Sequence, residues 1–131
     1  NRTLAGHCTV GDFVILAGMT AVHQFCMVGN HAFVTGGSLV RKDVPPFVKA
    51  AREPLSYVGI NSIGLRRRGY TPEKIREIQN IYRLLYQKNY NNTQACEIIE
   101  AEMEATPERD EILQFIKNAK RGIMKGYFSN S

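Results

Sequence analysis

No stretch of the sequence is apolar for the roughly 18 residues that a membrane-spanning helix needs, so membrane insertion is not expected. The opening Asn1-Arg2-Thr3 is neither an initiator methionine nor the charged-then-apolar start of a secretory signal. It suggests a cut within a longer protein. Cysteine is scarce: Cys8, Cys26 and Cys96 are odd in number and form no Cys-x-x-Cys pair or zinc spacing. That argues against a disulfide framework and a structural metal, and for a reducing, cytoplasmic setting. A Gly-x-Ser-x-Gly nucleophile elbow is missing. So are a helix-turn-helix, a zinc finger and aromatics interleaved with basic residues, which leaves a nucleic-acid module unsupported. What is present, 44% hydrophobic and 22% charged residues over 131 positions, is a folding composition of about one domain.

Charge is unevenly spread. Seventeen basic against twelve acidic residues leave a net +5, and the whole excess falls before Tyr70. Arg41, Lys42, Lys49, Arg52 and the run Arg66-Arg67-Arg68 lie there, opposed only by Asp12, Asp43 and Glu53. The asymmetry suits an anionic partner, whether nucleic acid, phosphorylated small molecule or acidic protein, or else a solvated basic face.

A six-residue repeat organises the first third. Leu4, Val10, Leu16, Val22, Val28, Val34 and Val40 recur at every sixth position, with chance odds of about 10⁻⁴ once the six possible registers are allowed for. A second track runs in phase four residues into each unit: Cys8, Val14, Thr20, Cys26, Ala32 and Ser38, all small or β-branched. This period predicts a parallel β-helix with faces one hexapeptide wide and coils of about 18 residues. Leu4, Val22 and Val40 then stack inside it, as do Val10 with Val28 and Leu16 with Val34. Cys8 and Cys26 become interior thiols one coil apart, not a disulfide.

Asp43-Val44-Pro45-Pro46 is expected to end the repeat, because adjacent prolines remove ladder donors. From Phe47 to Gly69 the pattern is mixed, a loop or irregular strand. Three helices follow. Thr71-Pro72-Glu73 opens the first, with Ile75, Ile78, Tyr82 and Leu85 on one face. Thr93 caps a second carrying Ile98, Ile99 and Met103, and Thr106-Pro107-Glu108 a third running through Ile112, Phe115, Ile116, Ala119 and Ile123. The division is β-helix over 1–52, a connecting loop over 53–70 and a helical domain over 71–131.

The strings TLAGH (3–7), GMTAVHQFC (18–26), DVPP (43–46) and GLRRRG (64–69), at these spacings, closely resemble bacterial UDP-N-acetylglucosamine 3-O-acyltransferases. The match is ungapped across 1–70 and looser through the helices. The resemblance implies the last two or so coils of a left-handed β-helix with a helical C-terminal domain, and a homotrimer with sites in clefts between neighbouring prisms. It implies transfer of a 3-hydroxyacyl chain from acyl carrier protein to the sugar 3-hydroxyl of UDP-N-acetylglucosamine, the first step of lipid A synthesis, with no cofactor or metal. Such a reaction needs a general base and an oxyanion donor.

Residue by residue, the resemblance places the family's catalytic base in an Ala-His-Asp-Cys-type segment that would precede Asn1. The 131-residue chain is thus expected to be inactive alone. His7 becomes a supporting histidine, and the Gly6 N–H faces the thioester oxygen. His23 and Gln24 contact the sugar. Gly36 is an acyl-chain ruler whose missing side chain predicts a long donor. Asn61, Arg67 and Arg68 hold the nucleotide, two guanidinium forks suiting a pyrophosphate, while Arg66 is solvated. Ile63 replaces a glutamate that contacts uridine in many relatives. His31 matches nothing catalytic and is taken as a surface turn residue. The basic excess, including Arg41, Lys42, Lys49 and Arg52, would steer the acidic carrier. Two alternatives keep the fold: another hexapeptide acyltransferase, or a non-catalytic binding scaffold.

Overall fold

The computed structural model describes residues 3–4, 8–87, 90–119 and 122–126. Seven two-residue strands follow one another at six-residue intervals: β1 (Thr3–Leu4), β2 (Thr9–Val10), β3 (Ile15–Leu16), β4 (Ala21–Val22), β5 (Met27–Val28), β6 (Phe33–Val34) and β7 (Leu39–Val40). All pair in parallel at an offset of 18 residues. Leu4 lies opposite Val22, Val22 opposite Val40, Val10 opposite Val28 and Leu16 opposite Val34. Three sheets thus make three faces, and the architecture is the parallel β-helix the repeat predicts, of the left-handed kind the resemblance implies. Leu16, Val22, Val28, Val34 and Val40 fill its axis, and Thr20, Cys26 and Ala32 of the second track are fully buried at its corners. Cys8 and Cys26 are not joined in a disulfide.

A third track escapes the sequence reading. Each corner turns through one residue in the left-handed region, again every sixth position: Phe13, Met19, Phe25, His31 and Gly37, with φ between 58° and 75°. Four of these are large side chains, for which this conformation costs about 1–2 kcal/mol each. None of those four left-handed positions is itself a glycine or an asparagine. The paired faces and filled axis impose them.

The proline pair does not end the repeat. Val44 bridges Val28, and β8 (Val48–Ala51) pairs in parallel with β6, Phe33 opposite Lys49. The offset has dropped to 16, so the corner after Val40 is two residues short. Pro45 and Pro46 occupy the next corner, off the strands, where a missing N–H costs the ladder little. Pro46 rests on Gly29: a Cβ there would lie 2.5 Å from Pro46 N and 2.7 Å from its Cα. Neither backbone atom can swing aside. Gly29→Ala is expected to cost about 1–3 kcal/mol, measured as a lower urea midpoint at unchanged slope; an unmoved midpoint would contradict this close approach.

Residues 53–70, expected as a connecting loop, instead hold β9 (Ser56–Ile60), antiparallel to β8, and the short helix α1 (Ser62–Arg67). Four helices are therefore described rather than three. α2 (Pro72–Gln87) begins as predicted, Thr71 Oγ1 accepting from Lys74 N–H at 3.1 Å, and buries Ile75, Ile78, Ile81, Tyr82 and Leu85. α3 (Asn92–Glu102) is capped by Asn91, not Thr93: Asn91 Oδ1 accepts from Gln94 N–H, and Gln94 Oε1 accepts from Asn91 N–H. This reciprocal box satisfies two donors where a threonine cap would satisfy one. α4 (Pro107–Asn118) starts at Thr106 as expected but stops short of Ile123, which bridges Asp43 in extended form.

Three stacked tyrosines join helices to solenoid. Tyr57 of β9 lies against Tyr82 and Tyr86 of α2, with ring centroids 5.5 and 4.6 Å away. Tyr82 Oη donates to Pro46 O at 2.6 Å and Tyr86 Oη to Met124 O at 2.8 Å. Burial pushes the Tyr57 hydroxyl up to about 12 and raises the other two as well. Asp43, one of the three acidic residues before Tyr70, is buried and accepts from Met27 N–H at 2.7 Å.

Candidate functional site

The corner between the second and third faces is where side chains of different chemistry converge. Its left-handed residues stack over three coils: Phe13, His31 and Phe47, with centroids 5.1 and 5.8 Å apart and rings 23° and 14° from parallel. Tyr70 meets His31 edge-on at 5.3 Å, its hydroxyl 3.5 Å from Nε2. Asn61 fastens α1 to this column. Its Nδ2 donates to His31 O at 2.9 Å, its N–H to Phe47 O at 2.9 Å, and its Oδ1 accepts from Gly64 N–H at 3.3 Å, capping the helix. A Cβ on Gly64 would sit 2.5 Å from Asn61 Nδ2, so glycine makes room for the amide. α1 then delivers Arg67 and Arg68 to the same corner, with the Arg68 guanidinium over the Phe13 ring at 4.0 Å.

Two adjoining cavities result. One, of about 250 Å³, is lined by Phe13, Val14, Ile15, His31, Asn61, Gly64, Arg67 and Arg68. The other, of about 230 Å³, shares Ile15, Asn61, Gly64 and Arg67 and adds Phe33, Lys49 and Ile63. An apolar floor with cationic groups at the rim suits a flat group carrying anionic charge. His31 is held below its usual pKa, first by burial and then by the positive charge of Arg68, with Asp12 opposing.

The structure brings Asn61, Arg67 and Arg68 together, while Arg66 lines neither cavity. His23 and Gln24 are elsewhere. They sit exposed at the corner leaving β4, where His23 Nδ1 lies 3.2 Å from Gln24 O. One chain therefore presents the two groups on different edges of the prism. Gly36 lies at a third corner and has a packing reason of its own, since a Cβ there would stand 2.9 Å from Gly18 O. His7 and Gly6 fall outside the described residues. His31, taken from sequence as a surface turn residue, does occupy a turn but is clamped between rings. Phe13 and Tyr70 were missed with it, because the left-handed track stacks Phe13 on His31 and the chain leaving α1 brings Tyr70 against the same ring. Lys49, assigned to steering, lines the second cavity over the Phe33 ring at 5.9 Å, and Arg41 pairs with Glu53 at 3.4 Å. Among the described residues no helix is long and apolar enough to cross a membrane.

The fold agrees with comparisons to known proteins. A family described as Udp N-acetylglucosamine O-acyltransferase, Domain 2, matches residues 43–124. An acyl-[acyl-carrier-protein]--UDP-N-acetylglucosamine O-acyltransferase of Thiobacillus denitrificans is 40% identical over 125 residues, 95% of this chain and 48% of the relative. The enzyme of that name from Aliivibrio salmonicida is 42% identical over the same length. Among solved structures, the Francisella novicida UDP-N-acetylglucosamine acyltransferase superposes with a TM-score of 0.91 at 38% identity, covering 98% of this chain and 47% of that one. The chain spans about half the length of the curated relatives it matches. A hexapeptide solenoid, arginines delivered by α1 and a family match across most of the chain lead to one assignment: the chain belongs to the UDP-N-acetylglucosamine O-acyltransferase family.

Proposed function

We propose that the protein to which this chain belongs moves a long 3-hydroxyacyl chain from acyl carrier protein to the 3-hydroxyl of UDP-N-acetylglucosamine, in the cytoplasm, opening lipid A synthesis. One observation carries the reading: Arg67 and Arg68 line one cavity together with the buried Asn61 and an apolar floor of Phe13, Val14 and Ile15. Paired guanidinium forks there match a pyrophosphate, and the floor accepts a nucleobase or sugar face.

The sugar hydroxyl attacks the thioester carbonyl. The new carbon–oxygen bond forms, the carbon–sulfur bond breaks, and the hydroxyl proton passes through a general base to the departing thiolate, which leaves as the carrier's thiol. In this reading Gly6 supplies a donor to the developing oxyanion, His7 supports the base, and His23 with Gln24 orients the sugar. No cofactor is required, because the thioester arrives activated. A homotrimer brings the His23–Gln24 edge of one copy toward the arginine edge of another, which a single prism keeps apart. Exposed Phe13, Ile15, Met19 and Phe25 along the corners and faces provide apolar surface for that contact. Gly36 sets the depth available to the acyl chain, and the basic residues of the first half attract the acidic carrier.

None of His7, His23 and His31 matches the family's base, so the 131-residue chain is expected to bind UDP-N-acetylglucosamine without turning it over. Calorimetry and a carrier-dependent transfer assay separate the two properties. Absence of binding would count against the nucleotide site, and turnover by this chain would overturn the assignment of the base.

A further inference from the structure

We infer that His31 is a positioning residue for Arg68, acting through the ring of Phe13, and that it couples anion binding at this corner to proton uptake. The inference deepens the sugar-nucleotide reading and rests on it for the ligand.

The first ground is packing. The imidazole fills the space between Phe13 and Phe47. Phe13 is 54% exposed and held at φ 58°, a conformation unfavourable for a bulky side chain, so the ring it stacks on matters to where it stands. Phe13 in turn is the surface under the Arg68 guanidinium, 4.0 Å away. Arg68 is exposed at the end of α1, and stacking on an aromatic face restricts a side chain with many rotamers to one that aims its fork at the cavity. His31 also fixes α1 from below through its carbonyl, which accepts from Asn61 Nδ2.

The second ground is charge. Arg68 is one ring removed from the imidazole and disfavours its protonation, as burial does, while Asp12 in the corner below favours it. Tyr70 faces Nε2, and its hydroxyl stays neutral here because burial, Glu108 and Glu111 raise its pKa against the opposing Lys74. His31 is thus neutral at neutral pH. An anion seated on Arg68 offsets the charge that repels a proton, so the imidazole gains one more readily. By linkage, the proton and the anion strengthen each other's binding.

The test uses the full-length protein and UDP-N-acetylglucosamine, whose diphosphate diester does not titrate between pH 5.5 and 8. Wild-type affinity should rise about threefold to tenfold as pH falls across that interval, with proton uptake revealed by buffers of different ionisation enthalpy. His31→Phe keeps a stacking ring, and Phe13 and Phe47 show that this corner accepts phenylalanine in the same conformation. It should retain affinity at pH 8 within about threefold and lose the pH dependence. His31→Ala should weaken binding about threefold to tenfold at pH 8, and by more at lower pH because the proton coupling is lost as well. Without nucleotide, imidazole NMR should show the His31 midpoint rising in Arg68→Gln, and rising in the wild type on adding sulfate. Equal pH slopes in wild type and His31→Phe, or a His31 midpoint indifferent to both Arg68 and sulfate, would overturn the inference. Failure of UDP-N-acetylglucosamine to bind at any pH, with the NMR responses intact, would instead reject the sugar-nucleotide reading and leave the proton-linked anion site standing.

Discussion

Tyr82→Ala is expected to destabilise the protein by about 3–5 kcal/mol, the range for removing a large buried aromatic. The side chain is fully buried, stacks on Tyr57 at 5.5 Å and donates to Pro46 O at 2.6 Å. Truncation leaves a cavity between α2 and the hairpin of β8 and β9, and an unpaired carbonyl at the proline corner. Tyr82→Phe keeps the ring and loses only the hydrogen bond, a net cost of about 0.5–1.5 kcal/mol. Urea unfolding of both variants separates packing from hydrogen bonding. If alanine costs no more than phenylalanine, the stacked rings contribute nothing to the joint between helices and solenoid.

Arg68→Ala in the full-length protein is expected to weaken UDP-N-acetylglucosamine binding by about 1.5–3 kcal/mol, the range for a hydrogen bond to a charged group, or roughly 10- to 150-fold. Two losses combine: the fork aimed into the cavity, and the stacking that covers the exposed Phe13 ring. Arg68→Lys restores charge without fork or stack and should recover only part of the affinity. Direct calorimetry measures both, and an unchanged KM for the sugar nucleotide in Arg68→Ala would refute the role. The fold should tolerate the change, since Arg68 is exposed and its backbone N–H bonds to Gly64 and Leu65 carbonyls survive it.

Local signals translated well wherever one residue's own chemistry decides its conformation. Thr71 and Thr106 cap helices because a side-chain oxygen three residues upstream reaches an orphan N–H. The Leu and Val track marks the interior because each hexapeptide presents a single inward aliphatic residue per face. The signals misled where two devices compete. Thr93 is a competent cap in isolation, but asparagine caps better and Gln94 closes a box only with Asn91. Pro45-Pro46 would break a strand, yet it falls on a corner because the coil before it has lost two residues.

From the order of residues alone one obtains the period, hence the coil, its stacked aliphatic axis and the arginine run, since repetition and adjacency are properties of the chain itself. The shortened coil, the column Phe13–His31–Phe47, the seating of Arg68 and the placing of His23 and Gln24 on a different edge come from folding. They depend on contacts between residues 16 or more apart. Such contacts arise because side chains on successive coils are forced into register at the strand spacing of about 4.8 Å, a distance at which rings stack and charges sense one another whatever their separation along the chain.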